Sequence, residues 1–116
     1  MTYDPSCLFC RIAKGEAPAD VVLDRTDLLA FRDINPQAPT HALVIPRDHI
    51  PSLEALSEGH AELVSNLVQA VNEVADQEGI AGGFRMVANI GSAAGQSVDH
   101  LHLHVLGGRT MHWPPG

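Results

Sequence analysis

Aromatic and basic residues are scarce in this chain, and each shortage narrows the classes of protein to consider. Aromatic residues make up 4% of the 116 residues, and Trp113 is the single tryptophan. Lysine and arginine number 7 against 14 aspartates and glutamates, and the formal net charge of -7 argues against a general nucleic-acid binder. A bound nucleotide is not excluded, because a few local donors are enough to hold a small anion.

Long apolar runs are absent too, and cysteine is limited to two positions. No run reaches the roughly 18 residues of a membrane span, and the N-terminal stretch, with Asp4, lacks the apolar core of a secretory signal. We therefore expect a cytoplasmic protein without a membrane partner. In a reducing compartment, the C-x-x-C of Cys7 and Cys10 favours a metal half-site or a redox pair over a structural disulfide.

Turn residues and apolar spacing predict one domain, residues 1–116, with two helices and five strands. The short helix covers 7–14 behind a Ser6 cap, and the long helix runs for about 20 residues between Ser57 and Gly79. Its core-facing positions are predicted to be Leu63, Val64, Leu67, Val68, Val71, Val74 and Ala75. The predicted strands are "VVLD", "LLAFRD", "HALVIP", "FRMVAN" and "HLHLHVLGG". Because strands and helices do not alternate regularly, the pattern predicts an α+β fold with a mostly antiparallel sheet.

The last of these strands carries three histidines in strict alternation, His100, His102 and His104. Residues two apart share one face of a strand, so the imidazoles form a row. The alternate positions, which would face a core, are Leu101, Leu103 and Val105. A neutral imidazole, with a pKa near ~6.5, suits either metal ligation or phosphate chemistry with one ring as nucleophile. The row by itself leaves both interpretations open.

The loop before this strand, "GSAAGQSVDH", favours phosphate chemistry. Gly91 and Gly95 allow backbone N–H groups to approach an anion, and Ser92, Ser97 and Gln96 add side-chain donors. Donors around a transferring phosphoryl group are what such a reaction requires.

A second candidate cluster begins with the two cysteines. A closed tetrahedral zinc site needs four ligands, and Cys7 and Cys10 supply two thiolates. His49, just after a predicted strand, and His100 are candidates for the other two. The alternative is that the cysteines are small helix-face residues and His49 is a loop histidine.

Three isolated residues carry weaker signals. Asp33 ends the "LLAFRD" strand, where a carboxylate is either solvated or accepts the two hydroxyls of a ribose. His41 precedes "ALVIP" and carries no signal by itself. Trp113 lies in a tail of prolines and glycines, which favours an interface anchor over a core residue.

Several of these segments together resemble a known family. "FRDINPQAPTHALVIPRDHI" and "GQSVDHLHLHVLGGRTMHWPPG" are similar to the histidine triad nucleotide-binding proteins, the purine nucleoside phosphoramidase branch of the histidine triad (HIT) family. The resemblance runs from "LFCRIAKGEAPADVV" to the last residue, and the "HWPPG" ending is typical of this branch.

The resemblance implies a fold and an activity. The implied fold is a five-stranded antiparallel sheet with helices, paired across a two-fold axis into a ten-stranded sheet. We place the dimer interface on the long helix and "FRMVAN". The implied reaction is hydrolysis of nucleoside 5′-phosphoramidates, such as adenosine 5′-monophosphoramidate, to AMP or GMP and an amine through a nucleotidyl-histidine, without magnesium.

The resemblance also implies roles for individual residues. The nucleophile is His102, and the residues that support it are His41, His100, His104 and Ser97. The nucleotide contacts are Leu8, Phe9, Ile12, Asp33, Ile34, Asn89, Gly95, Gln96, Ser97, His102 and His104. The ligands of a structural zinc are Cys7, Cys10, His49 and His100. The tail 110–116, with Trp113, sets substrate choice. Asp99, inside the motif, has no assigned role.

Three other functions compete with this one. A dinucleoside polyphosphate hydrolase of the same superfamily would use the same histidines, although the "WPPG" tail speaks against it. A nucleotide-binding regulatory module would share every binding residue, with hydrolysis incidental. A plain metal protein would use the histidine row as ligands.

Overall fold

One five-stranded antiparallel sheet organises the chain, as the sequence predicted. The computed structural model describes residues 2–116. Its elements are α1 (Leu8–Ala13), β1 (Val21–Asp24), β2 (Leu28–Arg32), β3 (Thr40–Pro46), α2 (Ala61–Gln77), β4 (Phe84–Val87) and β5 (Leu103–Gly107), with short 3₁₀ turns at Leu53–Ala55, Glu58–His60 and Ser92–Ala94. The strand order is β1-β2-β3-β5-β4, and each neighbouring pair is antiparallel.

The central strand β3 separates two apolar cores. Side chains of a strand alternate between its faces, so Ala42 and Val44 enter one core while Leu43 and Ile45 enter the other. The first, which we call the α2 core, packs the sheet against α2. The second, the α1 core, packs the opposite face against α1. Since both faces are covered, β3 is buried from His41 to Pro46.

Helix α2 begins later than predicted and buries a narrower face. Ser57 caps the 3₁₀ turn before the helix, in a capping box with His60, and Gly79 follows the helix in a left-handed conformation, φ +73°. The buried positions are Leu67, Ala70, Val71, Val74 and Ala75. The prediction that Val64 and Val68 face the core is wrong: they are 36% and 43% exposed. They lie on the flank of the helix that turns away from the sheet.

Helix α1 is capped by a cysteine, and the prediction of a Ser6 cap is wrong. The Sγ atom of Cys7 accepts a hydrogen bond from the backbone N–H of Cys10 at 3.3 Å. The hydroxyl of Ser6 donates instead to Asp4. The first cysteine of the C-x-x-C therefore starts the helix and points its sulfur toward the second.

The histidine segment differs from the prediction in where strand pairing begins. Strand β5 starts at Leu103, so His100 and His102 precede the paired strand. The alternation persists, because Leu101, Leu103 and Val105 all enter the α2 core as predicted. The histidine face is not a solvent face: His100 is 0% and His102 6% exposed.

The end of β5 packs tightly against the turn that follows α2. A Cβ atom added to Gly107 would lie 2.7 Å from Cδ1 of Ile80. Only glycine lets these two segments approach so closely. None of the helices within residues 2–116 combines the length and the apolar character needed to cross a bilayer.

Candidate active site and metal centre

A cavity of about 510 Å³ opens beside α1 on the face of the sheet that carries the histidines. Its walls include eight residues expected at a nucleotide site: Leu8, Phe9, Ile12, Asp33, Ile34, Ser97, His102 and His104. Sequence reasoning missed seven others. One is Arg32, whose guanidinium is ion-paired with Asp20 and Glu78. The other six are Ala17, Pro18, Ala19, Phe31, Leu43 and Val98. These six are apolar and carry no chemical signal, so only the fold could identify them. The cavity is an apolar cleft that ends at two imidazoles and a serine.

The ring of His102 is oriented by the backbone two residues earlier. Its Nδ1 atom lies 2.7 Å from the carbonyl oxygen of His100. A carbonyl oxygen only accepts, so Nδ1 carries the proton and Nε2 keeps its lone pair. The edge-to-face contact with Phe9, 5.2 Å between centroids, holds the ring from the side. In the uncharged ring, Nε2 is therefore the nitrogen of His102 that carries the lone pair.

The ring of His104 has the opposite arrangement, set by a chain of hydrogen bonds. The backbone N–H of Gln37 donates to Nδ1 of His41 at 3.0 Å, which places the proton of His41 on Nε2. That Nε2 lies 2.9 Å from Nδ1 of His104 and 3.4 Å from a carboxylate oxygen of Asp33. When it donates to His104, the proton of His104 is on Nε2. His104 then offers the cavity an N–H donor beside the lone pair of His102.

Burial keeps this part of the site neutral. Loss of hydration lowers the pKa of His104 to about 4, and repulsion from His102 and His41 adds to the shift. Burial also lowers the pKa of His41, while the neighbouring carboxylate of Asp33 acts in the opposite direction. Both rings are thus uncharged at neutral pH, as the hydrogen-bond chain requires.

A second cluster lies behind the cavity and fits a tetrahedral zinc. The ligand atoms of Cys7, Cys10, His49 and His100 all lie within 4.8 Å of one another. The Nδ1 atom of His100 is 3.3 Å from Sγ of Cys7 and 3.5 Å from Sγ of Cys10, and Nδ1 of His49 is 3.3 Å from Sγ of Cys10. Bond lengths of about 2.3 Å to sulfur and about 2.0 Å to nitrogen place tetrahedral S and N ligands about 3.5 Å apart.

The protonation of His100 also suits a metal ligand. Its Nε2 atom lies 2.9 Å from the carbonyl oxygen of Pro46, so Nε2 carries the proton. Nδ1 is left with a lone pair among the two sulfur atoms. A backbone carbonyl behind a ligating imidazole is the usual second partner that fixes ring orientation.

A third group, Asp33, His41 and His104, is equally close together but does not suit a metal. The Nε2 atom of His41 carries the proton, because Nδ1 accepts from the backbone of Gln37. A metal at Nε2 would require that hydrogen bond to be given up. The donors of this group therefore fit a hydrogen-bond network.

Three residues expected to contact the nucleotide lie outside the cavity lining. Asn89 is half-buried after β4, and Gly95 is a left-handed residue with φ +92° in the loop. Both ends of the Gln96 side chain are hydrogen-bonded within the protein. In the tail, Trp113 is 83% exposed. Asp99 is exposed.

The low pKa of His104 predicts how it titrates. Its imidazole should stay neutral until about pH 4, whereas the unfolded chain takes up this proton near its ordinary pKa of 6.5. Between these values the unfolded state binds more protons, so the stability that His104 contributes is complete above pH 6.5 and declines as pH falls toward 4. Imidazole NMR across this range tests this, with the spectrum of His104→Gln to assign the signal. A transition near pH 6.5 would contradict it.

Comparison with known proteins agrees with this geometry. The family model described as "Scavenger mRNA decapping enzyme C-term binding" matches residues 6–113. The "14 kDa zinc-binding protein" of Zea mays is 48% identical over 115 residues, 97% of this chain and 90% of the maize protein. An uncharacterised HIT-like protein of Synechococcus elongatus is 48% identical over 109 residues, 94% of this chain and 96% of its own.

Solved structures give the same result. The HIT family hydrolase from Legionella pneumophila superimposes with a TM-score of 0.94 at 50% identity, over 96% of this chain and 100% of that one. A histidine triad protein from Clostridium difficile gives a TM-score of 0.92 at 39% identity, over 96% and 97% of the two chains. With the alternating histidines at the cavity wall and relatives matched over nearly their whole length, this chain belongs to the histidine triad (HIT) family.

Proposed function

We propose that the protein hydrolyses purine nucleoside 5′-phosphoramidates through a nucleotidyl intermediate on His102. The observation that carries this proposal is the opposite protonation of two neighbouring rings, whose centroids lie 5.1 Å apart. His102 offers a lone pair to phosphorus, and His104 offers an N–H to a phosphoryl oxygen. A nucleophile beside a fixed donor is the arrangement that two-step phosphoryl transfer requires.

The cavity accounts for the rest of the substrate. Its apolar part, between Phe9, Ile12 and Phe31, suits the faces of a purine ring. Asp33, directly after β2, lines the cavity, and its carboxylate would accept the ribose hydroxyls. One of its oxygens accepts a hydrogen bond from the backbone N–H of Asn35 at 2.9 Å. The purine and ribose would thus place the 5′-phosphoryl group at the histidines.

The reaction follows from these positions. The Nε2 atom of His102 attacks phosphorus and the P–N bond of the substrate breaks. The departing amine takes a proton from solvent water, which the hydroxyl of Ser97 relays. The positive charge on the nucleotidyl-imidazole is stabilised by the hydrogen bond from Nδ1–H to the carbonyl of His100. Water then attacks phosphorus and the bond from phosphorus to Nε2 breaks. This step releases the nucleoside monophosphate and uncharged His102, and the proton lost by the water returns to solvent, replacing the one taken by the amine. The phosphoryl oxygens are held by protein donors, so the proposed reaction includes no magnesium.

Replacing His102 by alanine should abolish turnover while binding persists. We expect kcat for adenosine 5′-monophosphoramidate to fall by about a thousandfold or more, because the attacking atom is removed. The Kd for AMP should change little, since the apolar walls and Asp33 remain. Rapid-quench mass spectrometry of the wild type should show a nucleotidyl adduct on His102.

The matched control is His60→Ala, which removes a histidine of the turn before α2 that is not among the cavity residues. Substantial turnover by His102→Ala without an adduct in the wild type would refute the mechanism. Faster hydrolysis of dinucleoside polyphosphates than of phosphoramidates would favour the related hydrolase, and AMP binding without turnover would favour a regulatory module.

We further propose that Cys7, Cys10, His49 and His100 bind one structural zinc ion. Their sulfur-to-nitrogen separations fit the metal, and the maize relative is named a zinc-binding protein. When bound, zinc would supply a cross-link between the start of α1, the segment after β3 and His100. The four ligands would then hold His100 in place, and with it the carbonyl oxygen of His100 that orients the ring of His102.

Elemental analysis of protein purified without chelator should give about one zinc per chain. Cys10→Ser should lose the metal and melt about 10 °C lower, which is roughly 2 kcal/mol for a domain of this size. Ser6→Ala, next to the cluster but outside it, is the control. Zinc far below one per chain in the wild type, or retained in Cys10→Ser, would contradict the site.

We also propose that the protein is a two-fold dimer that pairs through β4 and α2. Strand β4 is an edge of the sheet, and an edge strand leaves backbone groups unpaired. Apolar side chains are exposed on both elements, with Met86 at 46% on β4 and Val68 at 43% on α2. Two sheets joined here would give the ten-stranded sheet that the family resemblance implies.

Light scattering at micromolar concentration should give twice the mass of one chain. Val68→Glu places a charge on the proposed interface and should shift the protein toward monomer, because an unpaired buried charge is unfavourable. Gln69→Glu, one position along α2, adds the same charge on an exposed position as a control. A monomeric wild type would refute the interface.

The tail 110–116 is proposed to select the leaving group. Arg109 donates from Nη2 to the carbonyl oxygen of Gln37 at 3.1 Å, and the N–H of Gln37 orients His41. The start of the tail is therefore tied to the hydrogen-bond chain of the site, while exposed Trp113 is free to meet a substrate or a partner subunit. Hydrolysis rates for a series of amines, with and without the tail, test this role.

A further inference from the structure

We propose that Gln96 is a positioning residue, which holds the phosphate-binding loop in shape and does not touch the nucleotide. This inference rests on the proposed function and assigns Gln96 a role that differs from the contact implied by the family resemblance. Three observations carry it: the saturation of its side-chain amide, the closure of the loop 91–96, and the free N–H groups that follow.

The side-chain amide of Gln96 is fully engaged within the protein. Its oxygen accepts from the backbone N–H of Gly91 at 2.9 Å. Its nitrogen donates to the carbonyl oxygens of Pro51, at 2.7 Å, and Val98, at 3.1 Å. An amide nitrogen has two N–H donors, so none remains for a ligand. The residue is 9% exposed, as expected for a polar group that serves the interior.

The same residue closes the loop a second time through its backbone. The N–H of Gln96 donates to the carbonyl oxygen of Gly91 at 3.1 Å, so Gly91 and Gln96 are joined by two hydrogen bonds. Gly91 and Gly95 adopt φ values of +83° and +92°, which allow the chain to turn this sharply. Gln96 therefore closes the loop through its hydrogen bonds with Gly91.

The two residues directly after Gln96 face the cavity. Ser97 and Val98 both line it. Within residues 2–116 neither backbone N–H has a hydrogen-bond acceptor, so both are available to phosphoryl oxygens. Gln96 holds the chain on both sides of the two peptide groups that carry these donors, because its own N–H is bonded to Gly91 and its side chain is bonded to the carbonyl of Val98.

The loop is also anchored to the rest of the site through Gln96. Pro51, its second acceptor, follows Ile50, whose carbonyl oxygen accepts from the N–H of Leu101 at 2.6 Å. The segment 49–51 therefore contacts both the phosphate loop and the histidine strand. A displacement of Gln96 would move donors relative to His102 without altering the purine pocket.

The test compares a ligand with a phosphate to one without. Gln96→Met removes all three side-chain hydrogen bonds at similar volume. Gln96→Glu keeps the acceptor and loses both donors, and it serves as a second variant if Gln96→Met does not fold. We expect Kd for AMP to rise by about tenfold, equal to about 1.4 kcal/mol, while Kd for adenosine changes less than twofold. Amide exchange at Gly91, whose N–H donates to the Gln96 side chain, should become faster.

Gln77→Met is the matched control, because it removes a comparable bond, from Nε2 to the carbonyl oxygen of Val22 at 2.7 Å, away from the cavity. An equal rise in Kd for AMP and for adenosine would show general unfolding. An unchanged Kd for AMP would show that the hydrogen bonds of Gln96 are not needed for phosphate binding. Either result overturns the proposal. The comparison uses binding alone, so failure of the proposed reaction would be seen separately, as a wild type that binds AMP but does not hydrolyse phosphoramidates.

Discussion

The hydrogen bond from Nδ1 of His102 to the carbonyl oxygen of His100 is the interaction on which the site depends. It decides which nitrogen of His102 carries the proton in the uncharged ring, and hence which nitrogen could act as the proposed nucleophile. The carbonyl can do this only while the backbone of His100 is fixed. That backbone is fixed because the ring of His100 is completely buried, held by Pro46 on one side and by two cysteines on the other. The candidate metal centre and the candidate nucleophile are thus linked through His100, whose ring lies in the first and whose carbonyl oxygen orients the second.

Neutrality of the buried rings follows from the same geometry. A charged His104 would face loss of hydration and two neighbouring imidazoles, so its pKa falls to about 4. If it were charged, it would no longer accept from His41, and the chain of donors from Gln37 would break. The low polarity of the cleft therefore has two effects. It keeps the imidazoles uncharged, so that the hydrogen bonds from Gln37 through His41 to His104 persist, and it provides an apolar surface for a base.

Periodicity identified most of the fold because it reports which face of an element is buried. Leu101, Leu103 and Val105 alternate and do enter one core. The same reasoning failed for Val64 and Val68, since apolar spacing cannot distinguish a face that packs on the sheet from one that is left exposed on the chain. It also could not identify the cap of α1, where a thiol stands in for the usual hydroxyl. The proposed role of Gln96 depends on its hydrogen bonds with Gly91 and Pro51. No local sequence pattern indicates that these groups lie within bonding distance of its side chain.

The two cores differ in the length of the helix that covers them, and this difference explains why a cross-linking metal would be useful on the α1 side of the sheet. The α2 core is secured by a helix of 17 residues whose apolar face covers the sheet. On the other side α1 has 6 residues, too short to be stable alone, yet it supplies Phe9 and Ile12 to the cavity wall. The cysteines occur at its start and in its middle, so a cross-link to His49 and His100 would add to the apolar contacts that hold this short helix on the sheet. A metal here would therefore act on the reaction indirectly, through the wall of the pocket and the carbonyl of His100.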